Sequence, residues 1–235
     1  MNRVRSIARA AAVLLALAVA VAMALGGCSP GDAGSGEGGT GASVEATPIA
    51  QLAKVQVTEY KGKKLSSIED FRENSIKGPQ VVDLDTYTLR IRGEVESETV
   101  LTYDQVVAYP TYQKNVVLNC VEGWSADILW RGVRLRDLID EAGAEPTANT
   151  VIFHCYDGYS TSLPLDTVVN KNLLLAYEMN GVLLPSERGF PFQVVAEDKL
   201  GYKWAKWVTE IELSSDDGYR GYWEERGYDN KANVR

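Results

Sequence analysis

Past residue 50 the apolar residues fall in short runs, none longer than five. Short runs of this kind suit strands, so the core is expected to be buried mainly through strands. Tyr87, Leu89 and Ile91 alternate with Thr88, Arg90 and Arg92, which predicts a strand with one buried face. Val116-Val117-Leu118, Val151-Ile152-Phe153, Leu173-Leu174-Leu175, Val194-Val195 and 208–213 read as further strands. Asn180-Gly181 is a strong two-residue hairpin turn. Two short helices are expected. One opens on Thr102 with Gln105 three residues later, a capping box, and stops at Pro110. The other carries Leu135, Leu138, Ile139 and Ala142 on one face and closes at Gly143. Strands outnumber helices, so the expected class is α+β with a large β component, in one domain.

The N-terminal region reads as an address. Arg3, Arg5 and Arg9 precede sixteen uninterrupted apolar residues, 10–25, which is short of the ~20 that a membrane span needs. A basic start, a short apolar core and small residues after it describe an export signal over residues 1–27. Leu25-Gly26-Gly27-Cys28 resembles a bacterial lipoprotein box, with Cys28 as the lipidated first residue of the mature chain. At about 0.8 kcal/mol per buried CH₂, two or three acyl chains hold a protein firmly on a membrane. No Arg-Arg pair precedes the apolar run, so the general export route is expected rather than the twin-arginine route. Residues 28–50 form a tether with six glycines between residues 31 and 47, giving a reach of about 20–25 Å. The globular domain is 51–235. The expected location is the extracytoplasmic face of the cell membrane.

Charge and cysteine counts narrow the chemistry. The full chain carries a net −8, and without residues 1–27 it has 21 Lys+Arg against 32 Asp+Glu, a net of −11. Nucleic acid is not an expected partner, because a phosphate backbone needs a basic surface. A single His excludes multi-His metal sites, and three Cys without a C-x-x-C pair exclude zinc ribbons and c-type haem. Cys120 sits where a strand ends and a glycine-containing loop begins, a place where a rigid support presents a side chain. Its thiol is open to three readings: a nucleophile, a soft-metal ligand, or half of a disulfide with Cys155. As a nucleophile it would need His154 as base. As a disulfide it would close about 35 residues and stabilise by about 3–4 kcal/mol in the chain-entropy description. Arg188, Lys199, Lys203 and Lys206 flank Gly189 and Gly201 in an otherwise acidic chain, which is how an anion site is built and also how a solvated basic patch reads.

Several motifs resemble, in order, the sulfite oxidase-like molybdopterin-dependent oxidoreductases. They are Asn119-Cys120-Val121-Glu122-Gly123-Trp124-Ser125 with Trp130-Arg131-Gly132-Val133, Asp157-Gly158-Tyr159-Ser160, Ala176-Tyr177-Glu178-Met179-Asn180-Gly181, Gly189-Phe190-Pro191-Phe192, Gly201-Tyr202-Lys203-Trp204-Ala205-Lys206-Trp207 and Gly221-Tyr222-Trp223-Glu224. The resemblance covers roughly residues 71–228. It implies a mixed, β-rich fold holding one molybdenum–molybdopterin, with Cys120 as thiolate ligand of the metal. It further implies two-electron oxygen-atom transfer on a small oxyanion or sulfoxide, fed by an external electron carrier. Lys203, Lys206 and Gly201 match the segment that holds the pterin phosphate, Arg188 a cofactor contact, and Asn74 an upstream pterin contact. Tyr156, Tyr159 and Arg131 are candidates for the substrate pocket. The match departs at Gln193, where relatives commonly carry Arg, and at Arg72-Glu73-Asn74-Ser75, which lacks a His. Those departures and the signal type suit an alternative, a cofactor-free ligand- or partner-binding lipoprotein on the same fold.

Overall fold

A computed structural model describes residues 47–234. Cys28, the signal segment and most of the tether lie outside the described residues. The chain opens with the one-turn helix α1 (Ile49–Leu52) and the hairpin β1 (Glu59–Tyr60) and β2 (Lys63–Lys64). Then follow β3 (Thr88–Gly93), β4 (Thr99–Thr102), α2 (Tyr103–Val107), β5 (Thr111–Asn119), β6 (Ser125–Arg134) and α3 (Leu135–Ala142). The second half runs β7 (Thr150–Cys155), β8 (Ser160–Pro164), α4 (Leu165–Asn170), β9 (Leu174–Met179), β10 (Val182–Leu183), β11 (Gln193–Val195) and β12 (Val208–Ser214). The β-rich α+β class expected from the sequence is what forms. Among the described residues no helix is long and apolar enough to cross a membrane.

Two larger sheets share the core. One has the order β10-β9-β6-β5, with β11 also paired to β9. The other has the order β4-β3-β12-β7-β8, in which β12 runs parallel to β3 and antiparallel to β7. The alternation read in β3 holds: Leu89 and Ile91 are buried and Thr88 and Arg90 exposed. They meet Phe153, Ile211 and Leu213 in one apolar cluster with Ile128, Trp130 and Val133 of β6. Trp130 is fully buried, gives its indole N–H to the Val116 carbonyl at 3.1 Å, and packs 5.5 Å from the Trp204 ring. α3 presents Leu135, Leu138, Ile139 and Ala142 inward, and Gly143 ends it in the left-handed conformation.

Local signals set the corners. Asn180 and Gly181 both take positive φ between β9 and β10, as the tight hairpin requires. Asn180 is wholly buried and works beyond the turn: its amide accepts from the Leu129 N–H at 3.0 Å and donates to the Ser66 carbonyl at 2.9 Å, pinning the N-terminal segment to β6. At α2 the capping box is complete, with Thr102 Oγ1 accepting from the Gln105 N–H at 3.3 Å and Gln105 Oε1 from the Thr102 N–H at 2.8 Å. Thr102→Ala is expected to lower stability by about 1 kcal/mol, read as a shift in the urea midpoint with unchanged slope.

Candidate active site

β5 ends at Asn119, and the chain turns at once. The Cys120 N–H donates to the Trp124 carbonyl at 2.9 Å and the Gly123 N–H to the Cys120 carbonyl at 3.1 Å. Gly123 closes this turn at φ 88°, a left-handed value that favours glycine. The main chain alone therefore holds Cys120 at the end of a strand, on the floor of a cleft of about 280 Å³. A bridge from Asn119 to Leu200 and another from Gln193 to Lys206 knit the loop after β11 against this floor. That brings Gly201 beside Cys120: a Cβ on Gly201 would lie 3.7 Å from the Cys120 Cα, in ordinary van der Waals contact.

The thiol sits among donors. The Asn74 amide points an N–H at Sγ, 3.7 Å away, and shares its other contact with Glu122 Oε2 at 3.3 Å. Burial pushes the Cys120 thiol up from its ordinary value; hydrogen bonds from the Glu122 and Val121 backbone and from Asn74 pull it back. Hydrogen bonds from Trp124 and Asn74, with Arg72 nearby, hold Glu122 below the usual carboxylate range. Cys120 and Cys155 are both free cysteines. Cys155 is buried, which raises its thiol well above the ordinary value.

A segment from Ile68 to Ile76 crosses the cleft and is fastened at three points. Arg188 is buried and gives its guanidinium to the carbonyls of Ile68, at 3.0 Å, and Phe71, at 2.6 Å, while lying 4.0 Å over the Phe71 ring. Phe71 in turn stacks on Trp124 at 5.6 Å. Lys206 pairs with Glu73 at 2.5 Å and lies 4.5 Å over the Trp207 ring. Burial pulls the proton affinity of Lys206 down, and Glu73 offsets it. Arg188 and Lys206 thus both line the cleft, but each already has partners.

Of the residues singled out in the sequence, Cys120, Asn74, Arg188, Gly201, Lys206 and Tyr159 converge on this cleft. Three do not. Lys203 is turned into the core by the 3₁₀ turn Gly201–Lys203; it is fully buried, ion-paired with Glu224, and donates to Asn230 Oδ1 at 2.9 Å. Arg131 lies on β6 and grips both oxygens of Glu178 at 3.1 and 3.2 Å, outside the cleft lining. Tyr156 is 56% exposed on the turn after β7 and also lies outside the lining. Tyr159 reaches the cleft with its hydroxyl committed to the Tyr202 carbonyl. Lys199, from the same basic cluster, donates to the Lys231 carbonyl at 2.9 Å and Asn233 Oδ1 at 2.7 Å. His154 faces Glu212 at 2.8 Å and Glu210 at 3.6 Å; Arg92 already bridges both carboxylates, and this group is no part of the cleft. The reading of His154 as a base for Cys120 is therefore not supported.

Sequence reasoning did not foresee Glu73 on Lys206, Glu122 on Asn74, or the place of Asp157 and Glu187 in the cleft lining. Gln193, the residue standing where relatives carry Arg, is buried in the wall. The donor set nonetheless suits a group presenting a soft metal and an anion. It offers one half-buried thiol with the Asn74 N–H on its sulfur, the Gly201 backbone beside it, and a lysine at hand.

Comparison with known proteins agrees with this geometry. Residues 76–223 match the oxidoreductase molybdopterin binding domain. The chain is 36% identical over 151 residues to the uncharacterized oxidoreductase YuiH of Bacillus subtilis, covering 64% of this chain and 76% of that one. It is 33% identical to the putative protein-methionine-sulfoxide reductase subunit YedZ1 of Azospira oryzae, covering 63% of this chain and spanning 56% of that relative's length. In fold it is similar to the sulfane dehydrogenase SoxCD of Paracoccus pantotrophus, with a TM-score of 0.55 and 19% identity over 77% of this chain and 56% of that one. The chain belongs to the oxidoreductase molybdopterin binding domain family, the sulfite oxidase-like group that its motifs resemble.

Proposed function

We propose that the protein is a molybdenum enzyme, tethered by lipid on Cys28 to the extracytoplasmic face of the membrane, that reduces a small uncharged sulfoxide. Electrons come from an external carrier. The balance is R₂S=O with two electrons and two protons giving R₂S and water. Molybdenum held by the pterin supplies the two-electron chemistry when bound.

In this reading Cys120 is the thiolate ligand, and the N–H of Asn74 orients and partly neutralises its sulfur. Lys206 and the backbone at Gly201 would receive the pterin phosphate, with Glu73 yielding its place on Lys206. Arg188 acts one step away, by fixing the segment that carries Glu73 and Asn74. Phe71, Trp124, Trp223 and Tyr228 line the cleft, exclude water and hold apolar substituents.

The observation that carries the choice of substrate is the charge inventory of the cleft. Arg72, Arg188 and Lys206 line it against Glu122, Asp157 and Glu187, and Glu73 sits on Lys206. Arg188 is spent on backbone carbonyls and Lys206 on Glu73, while Arg72 is exposed at the rim of the cleft. An oxyanion needs a free fork of donors inside the cleft, and the two inner cations, Arg188 and Lys206, are already engaged. A sulfoxide needs one donor and an apolar wall. The match to YedZ1, a putative methionine-sulfoxide reductase subunit, supports the same choice.

Protein purified from its native membrane is expected to contain one molybdenum and one pterin per chain. It should oxidise reduced viologen with methyl phenyl sulfoxide and leave sulfite essentially unreacted. Rapid sulfite oxidation would overturn the substrate, and metal-free protein from the native host would overturn the cofactor and favour the ligand-binding alternative.

A further inference from the structure

Outside the cleft, three side chains able to ligate a metal meet on the outer face of the sheet that holds β12. Glu210 and Glu212 are two apart on β12 and so share a face, while Ile211 and Leu213 between and after them are buried in the core. The strand register sets His154 of β7 across from Glu210, and Arg92 of β3 across from Glu212. His154 Nε2 lies 2.8 Å from Glu212 Oε2 and 3.6 Å from Glu210 Oε1. One ligand atom from each of the three residues falls within 4.8 Å of the others. With bonds of about 2.1 Å to zinc, tetrahedral ligand atoms stand about 3.4 Å apart, and the two observed spacings bracket that value. The three side chains are 20–32% exposed, open enough for an ion to enter. The carboxylates already converge on one cationic atom. Arg92 meets both through a single nitrogen, Nη2, at 2.7 Å to Glu210 Oε1 and 3.0 Å to Glu212 Oε2, and makes a two-pronged fork on neither.

We propose that His154, Glu210 and Glu212 bind zinc or a similar divalent transition ion, and that Arg92 is the internal cation it displaces. The two carboxylates balance the charge of the ion, Nε2 supplies a nitrogen, and water completes a four-coordinate shell. To ligate, the imidazole carries its hydrogen on Nδ1 and turns the Nε2 lone pair to the ion. A nitrogen among oxygens selects such an ion over magnesium and calcium, which take all-oxygen shells. The Arg92 side chain is itself 31% exposed and has solvent to turn into. The ion cross-links β7 to β12 where their pairing shifts register, between Val208 and Glu210. Both strands run from there into the cleft wall, β7 onward to Asp157 and Tyr159 and β12 back to Trp207 and Lys206. None of the four residues of the site lines the cleft, so the site stands apart from the cofactor and from the choice of substrate.

The test is a calorimetric titration of zinc into full-length protein from the native host, dialysed against chelator, beside His154→Ala, Glu212→Gln and Arg92→Gln. Wild type is expected to bind one zinc ion per chain at this site. Affinity should fall by about a hundredfold or more in His154→Ala and in Glu212→Gln. Arg92→Gln should bind about tenfold more tightly, because the competing positive charge is gone. At a zinc concentration a hundred times the dissociation constant, the wild-type melting temperature should rise by about 5–10 °C. Magnesium or calcium at the same concentration should leave it unmoved. Wild type that binds no zinc overturns the site. So does binding that survives unchanged in both His154→Ala and Glu212→Gln, which would put the ion elsewhere, Cys120 included. Zinc bound by Arg92→Gln alone would make Arg92 the permanent occupant and overturn it as well. Should His154→Ala fail to fold, Glu212→Gln carries the comparison, since it keeps an oxygen for Arg92 and removes one charge. Failure of the sulfoxide reading changes none of these outcomes, since no measurement here follows turnover.

Discussion

Cys120→Ser is expected to take sulfoxide turnover below detection while leaving the fold intact. The turn at Cys120 is made by main-chain hydrogen bonds and by Gly123, so the side chain adds little to it. Serine is close in size, and the melting temperature should move by a few degrees at most. What changes is the donor. A thiolate is a soft, polarisable ligand, and a serine hydroxyl is a hard one that stays protonated at neutral pH. Molybdenum and pterin content, turnover and a thermal melt on native-host protein check this together. A Cys120→Ser protein that keeps its metal and its turnover would remove Cys120 from the site, and one that fails to melt cooperatively would show that the residue is needed for folding instead.

How much of this site could be read beforehand depended on how local each signal was. Cys120 was legible because a β-run stops one residue before it and Gly123 follows three residues after it. The Asn180-Gly181 hairpin, the Thr102 capping box and the α3 face were legible for the same reason: each is written within eight consecutive residues. β6 was not. It is central and buried on both faces along much of its length, so the period-two alternation that marks a half-exposed strand is blurred. The parallel pairing of β3 with β12 joins residues some 120 positions apart, and nothing in either segment announces the other.

The site residues divide along the same line. Lys203 and Lys206 sit three apart in one glycine-led loop and look equivalent in sequence. Their fates differ because Lys206 meets Glu73, brought in from far upstream by Arg188, while Lys203 meets Glu224 from the C-terminal turn. Arg131 and Tyr156 failed likewise. Arg131 faces Glu178 across the β6–β9 ladder, and Tyr156 points to solvent from a turn whose third residue onward, Tyr159, points in. A basic residue beside glycine signals an anion site only until its long-range carboxylate is known.

Lys203→Ala is expected to destabilise the domain by about 3–5 kcal/mol, because it strands the Glu224 carboxylate in the core with Thr161 as its remaining side-chain donor. For a domain of this size that is a fall of about 6–20 °C in melting temperature. A lysine that served only a bound phosphate would show no such loss in cofactor-free protein. A melt of Lys203→Ala at the wild-type value would therefore return Lys203 to the cofactor. The paired change Lys203→Met with Glu224→Gln separates the cost of a stranded charge from the value of the pair. It removes both charges and keeps an acceptor for Thr161, so most of the lost stability should come back. A paired variant that melts as low as Lys203→Ala would mean that the ion pair itself, and not a stranded charge, carries the stability.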